Sequence, residues 1–410
     1  MVFSKRLRIV KGMKGEVSLE GAKEARAVRL TTISLVLLPL AHMTLDIFHN
    51  VFPIALPLFR ESWRLSYTQV GLVMTTLNVT ASVSQPIFGV ISDRWGAQWF
   101  IPVGLAWTGI MISFLGFIPA YPLLLMLVFS SGLGSGAFHP SGLKAMADAA
   151  ASKRGLANAI FMLGGNLGFA LGPVVGSLLF LNLGLESSLV LLLPALVLGF
   201  TLWQFRRFYS LRPAPTFRPL SPESSAGVVG GLVVVCVIVV VRSWVHNGIA
   251  TFFPLFIQSQ GLGLAFASKL LFIFLLSGAV GGLVGGYLSD VLGRKKVILT
   301  CLISFTPLML LFLKAPAGGA GVLFLVLAGV AIFAPFSVML TLAQELIPRR
   351  TGLASGLVLG LGFGVGGIGV SISGIVSDLY GIGTSMYVMA GLPLLGIPLV
   401  SFIKERADSY

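Results

Sequence analysis

From Leu30 to Ile403 the chain is a succession of long apolar stretches broken by short polar loops. Their bounds read as 30–59, 66–92, 98–118, 121–148, 155–182, 186–208, 227–258, 264–290, 295–314, 318–346, 351–379 and 383–403. A helix needs about 20 apolar residues to cross the hydrocarbon core of a bilayer. Inside lipid every backbone polar group must be satisfied by the protein itself, so only helices and closed barrels span it. Stretches of this length select helices. Composition agrees, because charged residues are only 10% of the chain where soluble domains carry about 25%. The expected fold class is an all-α polytopic membrane protein with twelve transmembrane helices.

The net charge of +14 would suit a nucleic-acid binder if the protein were soluble. Here the basic residues sit in loops and tails, so no nucleic-acid partner is expected. Their distribution sets orientation, since lysine and arginine gather on the cytoplasmic face. Placing residues 1–29 inside puts most of the 28 basic residues there. That side collects Lys5, Arg6, Arg94, Arg154, Arg206, Arg294, Lys296, Arg349 and Lys404, among others. The opposite side keeps only Arg60, Arg64 and Lys314. Both termini are therefore expected in the cytoplasm. Residues 1–29 read as a basic tail, 30–208 as one six-helix half, 209–226 as a cytoplasmic linker rich in proline, 227–404 as the second half and 405–410 as a short tail. Cys236 and Cys301 lie in apolar stretches and offer no disulfide framework. Neither a metal site nor a cofactor is expected.

The halves repeat in one constant register. His49-Asn50 recurs as His246-Asn247, Pro57-Leu-Phe as Pro254-Leu-Phe, Ser92-Asp93 as Ser289-Asp290 and Gly155-Leu-Ala as Gly352-Leu-Ala. Gly172 matches Gly369, and the acid Asp148 matches the acid Glu345. A parallel repeat of this kind places its pseudo-axis along the membrane normal, with a substrate site between the halves near the midplane. Glycines also recur every four residues in stretch 5 (Gly164, Gly168, Gly172, Gly176) and stretch 11 (Gly352, Gly356, Gly360, Gly364). Small residues let helices approach closely. Two readings stay open for these strips, static packing or a sliding surface between halves.

Polar residues inside the spans are the functional candidates, because an ionisable group in mid-membrane is costly and normally faces a bundle interior or a wet cavity. His42, Asp46, His49 and Asn50 share one helical face of the first span. Asp46 is the only acid expected well inside a span. It reads either as a proton-coupling site or as one partner of a permanent ion pair with Arg242, which adjoins Ser243, the repeat counterpart of Asp46. All four histidines fall within spans, and imidazole titrates near physiological pH. His42 and His139 are candidates to share the coupling proton. Arg242 would attract an anionic group of a substrate, since its planar guanidinium suits carboxylate or phosphonate. His49, Asn50, Asn78, Gln85, Asn166, His246 and Asn247 are the further candidate substrate contacts.

These residues carry a resemblance. Gly89-Val-Ile-Ser-Asp93-Arg94-Trp-Gly96 and Gly286-Tyr-Leu-Ser-Asp290-Val-Leu-Gly293-Arg294-Lys-Lys resemble the loop 2–3 and loop 8–9 signatures of the major facilitator superfamily. Ala97-Gln98 stand where the first copy usually has basic residues. His42-x3-Asp46, Thr80-Ala-Ser-x-x-Gln85-Pro86, Gly134-Ser-Gly-Ala-Phe-His139-Pro140 and Gly164-Gly-Asn166-Leu-Gly168 together resemble the fosmidomycin-resistance group. The run Gly168-x3-Gly172-Pro173-x2-Gly176 is similar to the antiporter signature of drug exporters, departing at Ala159 and Ser177. The resemblance implies a major facilitator fold of two pseudo-symmetric six-helix halves. It also implies a proton-coupled exporter of the prokaryotic inner membrane, working by alternating access. Asp93, Arg94 and Asp148 in one half, and Asp290, Arg294 and Glu345 in the other, would then lock the halves on the cytoplasmic side.

The expected partners are a small-molecule substrate, protons and membrane lipid, and the chain is expected to act as a monomer. Uptake of a small metabolite and translocation of a lipid or lipophile are the alternatives that the fold permits. No His-Glu-x-x-His or Gly-x-Ser-x-Gly pattern supports an intramembrane enzyme. No Gly-x4-Gly-Lys-Ser/Thr loop supports ATP as the energy source.

Overall fold

The computed structural model describes residues 33–96, 98–149, 154–206, 226–347 and 351–403. Both tails and nearly all of the linker lie outside these residues. So do Lys153, Arg349 and Arg350. Of Asp93, Arg154, Gly155 and Gly352 only the backbone is described.

All regular structure among the described residues is helical. Helix α1 covers Ile33–Trp63, with a single non-helical residue at Val51 before Pro53. Then follow α2 Tyr67–Trp95, α3 Phe100–Phe117, α4 Tyr121–Ala149, α5 Arg154–Leu183 and α6 Leu185–Phe205. The second half holds α7 Ala226–Ser259, α8 Leu264–Leu292, α9 Arg294–Lys314, α10 Gly319–Leu346, α11 Thr351–Tyr380 and α12 Ile382–Val400. Each of the twelve expected spans is present, with ends moved by a few residues.

Eleven of these helices are long and apolar enough to cross a membrane. The exception is α2, whose run Thr75-Thr76-x-Asn78-x-Thr80-x-Ser82-x-Ser84-Gln85 lowers its hydropathy. Its place explains the polarity. Within the halves α3 packs between α4 and α6, and α9 packs on α10 and α12 on α7, whereas α2 packs along α11 and α5 along α8. Those two pairs join the halves, so α2 is screened from lipid on its polar side.

Local signals fix the ends. Ser66 caps α2 by accepting from the Gln69 amide, and the Gln69 side chain accepts from the Ser66 amide. This reciprocal cap satisfies two of the donors that a helix start leaves orphaned. Gly96 ends α2 in the left-handed region, at φ 58°, where a residue with a Cβ is strained.

The two glycine strips turn out unlike each other. Gly164 and Gly168 of α5 lie against the backbone carbonyls of Pro39 and Met43 in α1, Gly172 lies against Asn50, and Gly176 faces Val51. That strip packs within one half, as the static reading holds. The α11 strip instead reaches the other half. A Cβ on Gly364 would meet Ser82 at 3.2 Å and one on Gly367 would meet Asn78 at 2.8 Å. Gly71 of α2 is similarly pressed on the Val370 carbonyl at 2.9 Å, and Gly374 on the backbone of Tyr67 and Thr68. Along α11 these contacts run from Asp378 to Gly364 and then stop. Gly360 and Gly356, toward the end that gathers the basic residues, meet no neighbouring atom within 4 Å. The halves thus touch at the basic-poor end of α2 and α11 and part toward the basic-rich end.

Candidate functional site

Two polar centres lie in the bundle, one in each half. The first is built on α1. His42, Asp46 and Asn50 are all under a tenth exposed, and their four-residue spacing puts them on one face. His42 Nε2 lies 3.3 Å from Asp46 Oδ2. From α4, His139 Nε2 lies 3.7 Å from Asp46 Oδ1. The other ring nitrogens are engaged elsewhere: His42 Nδ1 lies 2.8 Å from the Phe161 carbonyl of α5, and His139 Nδ1 lies 2.9 Å from the Ser135 carbonyl. A carbonyl can only accept, so each Nδ1 carries the hydrogen. A neutral ring then turns its Nε2 lone pair toward Asp46, and a protonated one donates from Nε2 to the carboxylate.

Packing holds this arrangement. The His42 ring stacks on Phe161 at 4.2 Å and meets His139 edge-on at 4.9 Å. Pro140 directly follows His139 within α4 and cannot donate to the helix ladder. Gly165 of α5 covers the centre, and a Cβ there would sit 2.5 Å from His42 Nε2 and 2.8 Å from Asp46 Oδ2. Only glycine lets α5 approach so closely. His42, Asp46 and His139 also form the one group among the described residues whose donor atoms are close enough to hold a metal ion.

The second centre is built on α7. Arg242 is 2% exposed, and its Nε and Nη1 have no hydrogen-bond partner. Among the described residues it makes no ion pair; in particular Asp46 pairs with the two histidines and not with Arg242. The permanent Asp46–Arg242 pair considered from the sequence is therefore not formed. Arg242 lies instead over aromatic rings of α10, its guanidinium carbon 4.4 Å from the Phe336 centroid and 5.6 Å from that of Phe333. His246, one turn on, has both ring nitrogens without partners and meets Phe333 edge-on at 4.5 Å. Ser243 Oγ and Asn247 Nδ2 are likewise buried and unpartnered.

The remaining candidates are dispersed. His49 Nε2 sits 3.2 Å from Ser131 Oγ of α4. Asn50 donates to the Asp46 carbonyl on its own helix, at 3.0 Å, so its amide is already engaged. Asn78 Nδ2 is buried without a partner where α2 meets α11. Gln85 and Asn166 are half-buried.

At the basic-rich end Arg294 donates from Nε and Nη2 to the two oxygens of Glu345, at 2.8 and 2.5 Å, and from Nη1 to Asp290 at 3.3 Å. Such a two-pronged pair is among the stronger ionic contacts. It ties α8, α9 and α10 within one half; in this structure it does not bridge the halves. The matching set in the first half is not assembled among the described side chains. Arg94 is exposed, and Asp148 Oδ2 is buried without a partner.

Sequence reasoning missed Asp378. This carboxylate, near the basic-poor end of α11, accepts from the Tyr67 amide at 2.7 Å and from the Thr68 amide and hydroxyl at 2.8 and 2.6 Å. It caps the first turn of α2 from the opposite half. Two turns deeper, Thr75 Oγ1 donates to the Gly367 carbonyl at 2.7 Å. Across the other seam, Ser268 of α8 donates to the Pro173 carbonyl of α5. An acid at the end of a span reads as a loop charge; only its position against a helix start more than three hundred residues away gives it meaning.

Known proteins agree with this architecture. The chain is 35% identical over 373 residues to an uncharacterised MFS-type transporter, YfnC, of Bacillus subtilis, covering 88% of this chain and 91% of that one. It is 29% identical over 373 residues to the fosmidomycin resistance protein of Escherichia coli, covering 90% and 91%. Among solved structures it is similar to a bacterial homologue of the human lysosomal transporter Spinster in an inward-facing, occupied conformation. That match has a TM-score of 0.70 at 16% identity and covers 91% of this chain and 94% of that one. The Major Facilitator Superfamily pattern matches residues 40–367 and, a second time, 235–409. Twelve membrane-length helices in two repeated halves, meeting along α2–α11 and α5–α8, and this match over most of the sequence make the chain a transporter belonging to the Major Facilitator Superfamily.

Proposed function

We propose that this protein is a proton-coupled antiporter that exports a small anionic organic compound by rocking its halves. One observation supports the coupling most: the Nε2 atoms of His42 and His139 both converge on the buried Asp46 carboxylate, within reach of a shared proton. Two imidazole lone pairs facing a carboxylate repel it, and in a site screened from water that repulsion is weakly damped. A single proton placed between Asp46 and either Nε2 turns repulsion into a charge-assisted hydrogen bond. The centre is thus built to take up a proton when it is buried and to release it when water enters. The groups facing Asp46 are His42 and His139, with His49 one turn away on α1; α5 contributes only Gly165 and the Phe161 carbonyl.

Export is supported by the Escherichia coli relative, whose name records resistance to fosmidomycin. The anion is supported by the uncompensated charge of Arg242. The closure of the outer end corresponds to the inward-facing stage of the cycle, in which substrate would enter from the cytoplasm. The expected orientation, with both termini cytoplasmic, is part of this reading.

The test has two arms. In infrared difference spectra between alkaline and acidic pH, the wild-type protein should show a protonated-carboxyl band that is absent from Asp46→Asn. In liposomes, a pH gradient should drive fosmidomycin flux in the wild type and not in Asp46→Asn. A band and a gradient-driven flux that both survive the substitution would place the coupling proton elsewhere.

A further inference from the structure

Arg242 is unusual for what surrounds it. A buried guanidinium is ordinarily matched by a carboxylate, because an unpaired charge in a dry site is costly. Here the neighbours are rings. The face of an aromatic ring attracts a cation through its quadrupole, yet it carries no net charge and takes none of the guanidinium hydrogens. An arginine held this way keeps its full positive charge and leaves its donors for a guest.

The rings are themselves held in place. Gly278 of α8 has no side chain where Phe333 lies, and a Cβ there would be 2.3 Å from the ring. Phe333 also meets Phe274 edge-on at 6.1 Å, and Phe336 meets Phe363 of α11 edge-on at 6.2 Å. On the same helix Ser243 Oγ, Asn247 Nδ2 and the His246 nitrogens are also buried without partners. No acid of a described residue approaches.

We infer that Phe336, assisted by Phe333, is a positioning residue that takes the place of a counter-ion and thereby sets charge selectivity. It keeps Arg242 fixed and unneutralised, so that the carboxylate or phosphonate head of the substrate becomes its only partner. This rests on the reading of Arg242 as a substrate-binding group. A carboxylate at position 336 would occupy the guanidinium permanently. A ring that is merely packing could be exchanged for another apolar side chain with no effect on charge preference.

The experiment measures apparent Kd for fosmidomycin, methylphosphonate and tetramethylammonium with the full-length protein in lipid nanodiscs. The wild type should bind the two anions and not the ammonium. Phe336→Leu should weaken both anions by about 3- to 30-fold, the range for loss of a desolvated cation–ring contact, and Phe336→Tyr, which keeps the ring, should stay near wild type. Phe336→Gln should behave like Phe336→Leu, whereas Phe336→Glu should abolish anion binding at the same level of folded protein. Anion binding lost in Arg242→Ala but kept in Phe336→Glu would overturn this inference and leave the Arg242 reading intact. Equal Kd values for Phe336→Leu, Phe336→Tyr and wild type would do the same. Anion binding unchanged in Arg242→Ala, or a wild type that binds no anion or binds the ammonium as well, would overturn both.

Discussion

The centres of α1 and α7 sit at repeat-related positions and have opposite chemistry. His49 and Asn50 match His246 and Asn247 in register, while Asp46 matches Ser243 and Arg242 matches Leu45. On α1 the polar groups satisfy or face one another: Asp46 with two imidazoles, His49 with Ser131, Asn50 with its own helix. On α7 the corresponding His246 and Asn247 nitrogens have no partner, nor do two nitrogens of Arg242. One centre sets an acid between two imidazoles. The other is rich in donors and lacks an anion. A repeated scaffold has diverged by placing its acid one residue from where the other copy places its base. Because the two charged groups are not in contact, a proton and a substrate need not compete for one atom. Their coupling can run through which end of the bundle is open, since each ligand shifts that equilibrium only by its differential affinity for the two states.

The strongest way to break this comparison is Asp46→Asn. The amide would supply an N–H toward His42 or His139 where the carboxylate offers only acceptors, and so imitates the protonated centre without a titratable group. Gradient-driven flux should fall to background, while equilibrium counterflow, which needs no net proton movement, should continue. Loss of both activities in a folded protein would mean that Asp46 is needed to assemble the site and not to carry the proton.

Next in size is Arg242. Arg242→Ala should raise the apparent constant for an anion at least about thirtyfold, in line with the roughly 2–5 kcal/mol cost of truncating one partner of a buried charge pair. Arg242→Lys keeps the charge but loses the planar fork and its stacking on Phe336, so an intermediate loss is expected. The proton band of the α1 centre should be unchanged in both. A shift of that band in Arg242→Ala would show that the centres interact directly after all.

His139→Gln should have a smaller effect. One of the two imidazoles facing Asp46 is removed, and His42 still faces the carboxylate. Flux should persist, with its pH dependence displaced and its rate reduced by about tenfold, less than the roughly 10²–10⁴-fold cost of losing a proton-transfer group outright, because His42 remains. A flux and pH profile equal to wild type would remove His139 from the coupling centre and leave the proton to Asp46 and His42.

What the sequence showed and what it hid follow from the range of the interactions. Span ends were legible because hydropathy and helix starts are local properties; Tyr121–Ala149 and Gly319–Leu346 fall within a residue of their expected bounds. His42 and Asp46 were legible as one face because their spacing lies on one helix. That His139 completes the centre was suggested by its place inside a span and by the resemblance, not by spacing, since α4 and α1 meet through tertiary packing. The role of Phe333 and Phe336 was hidden. Phenylalanines in an apolar stretch look like lipid-facing or core residues until Arg242 is seen over them. The inner Asp290–Arg294–Glu345 set was named correctly as a group, but its placement within one half could not be read from a loop signature.

The smallest expected effect tests the comparison most sharply. Asp378 contacts neither centre, yet it caps α2 across the outer seam with three hydrogen bonds. Those bonds exist only while the outer end is closed, so the outer-open state must leave the α2 amides to water. Asp378→Asn keeps an acceptor but loses the charge that favours a helix start, and about 1 kcal/mol of capping should go with it. The equilibrium should move by roughly fivefold toward the outer-open state, a shift readable as faster thiol labelling of a cysteine placed at Thr75. If coupling runs through that equilibrium, the apparent affinities for proton and anion should both change by similar factors, in whatever direction each ligand's state preference dictates. Asp46→Asn and Arg242→Lys should each change only their own. A shift in labelling with neither affinity altered would mean that neither ligand distinguishes the two states, and the two centres would then have to be linked by some contact between them.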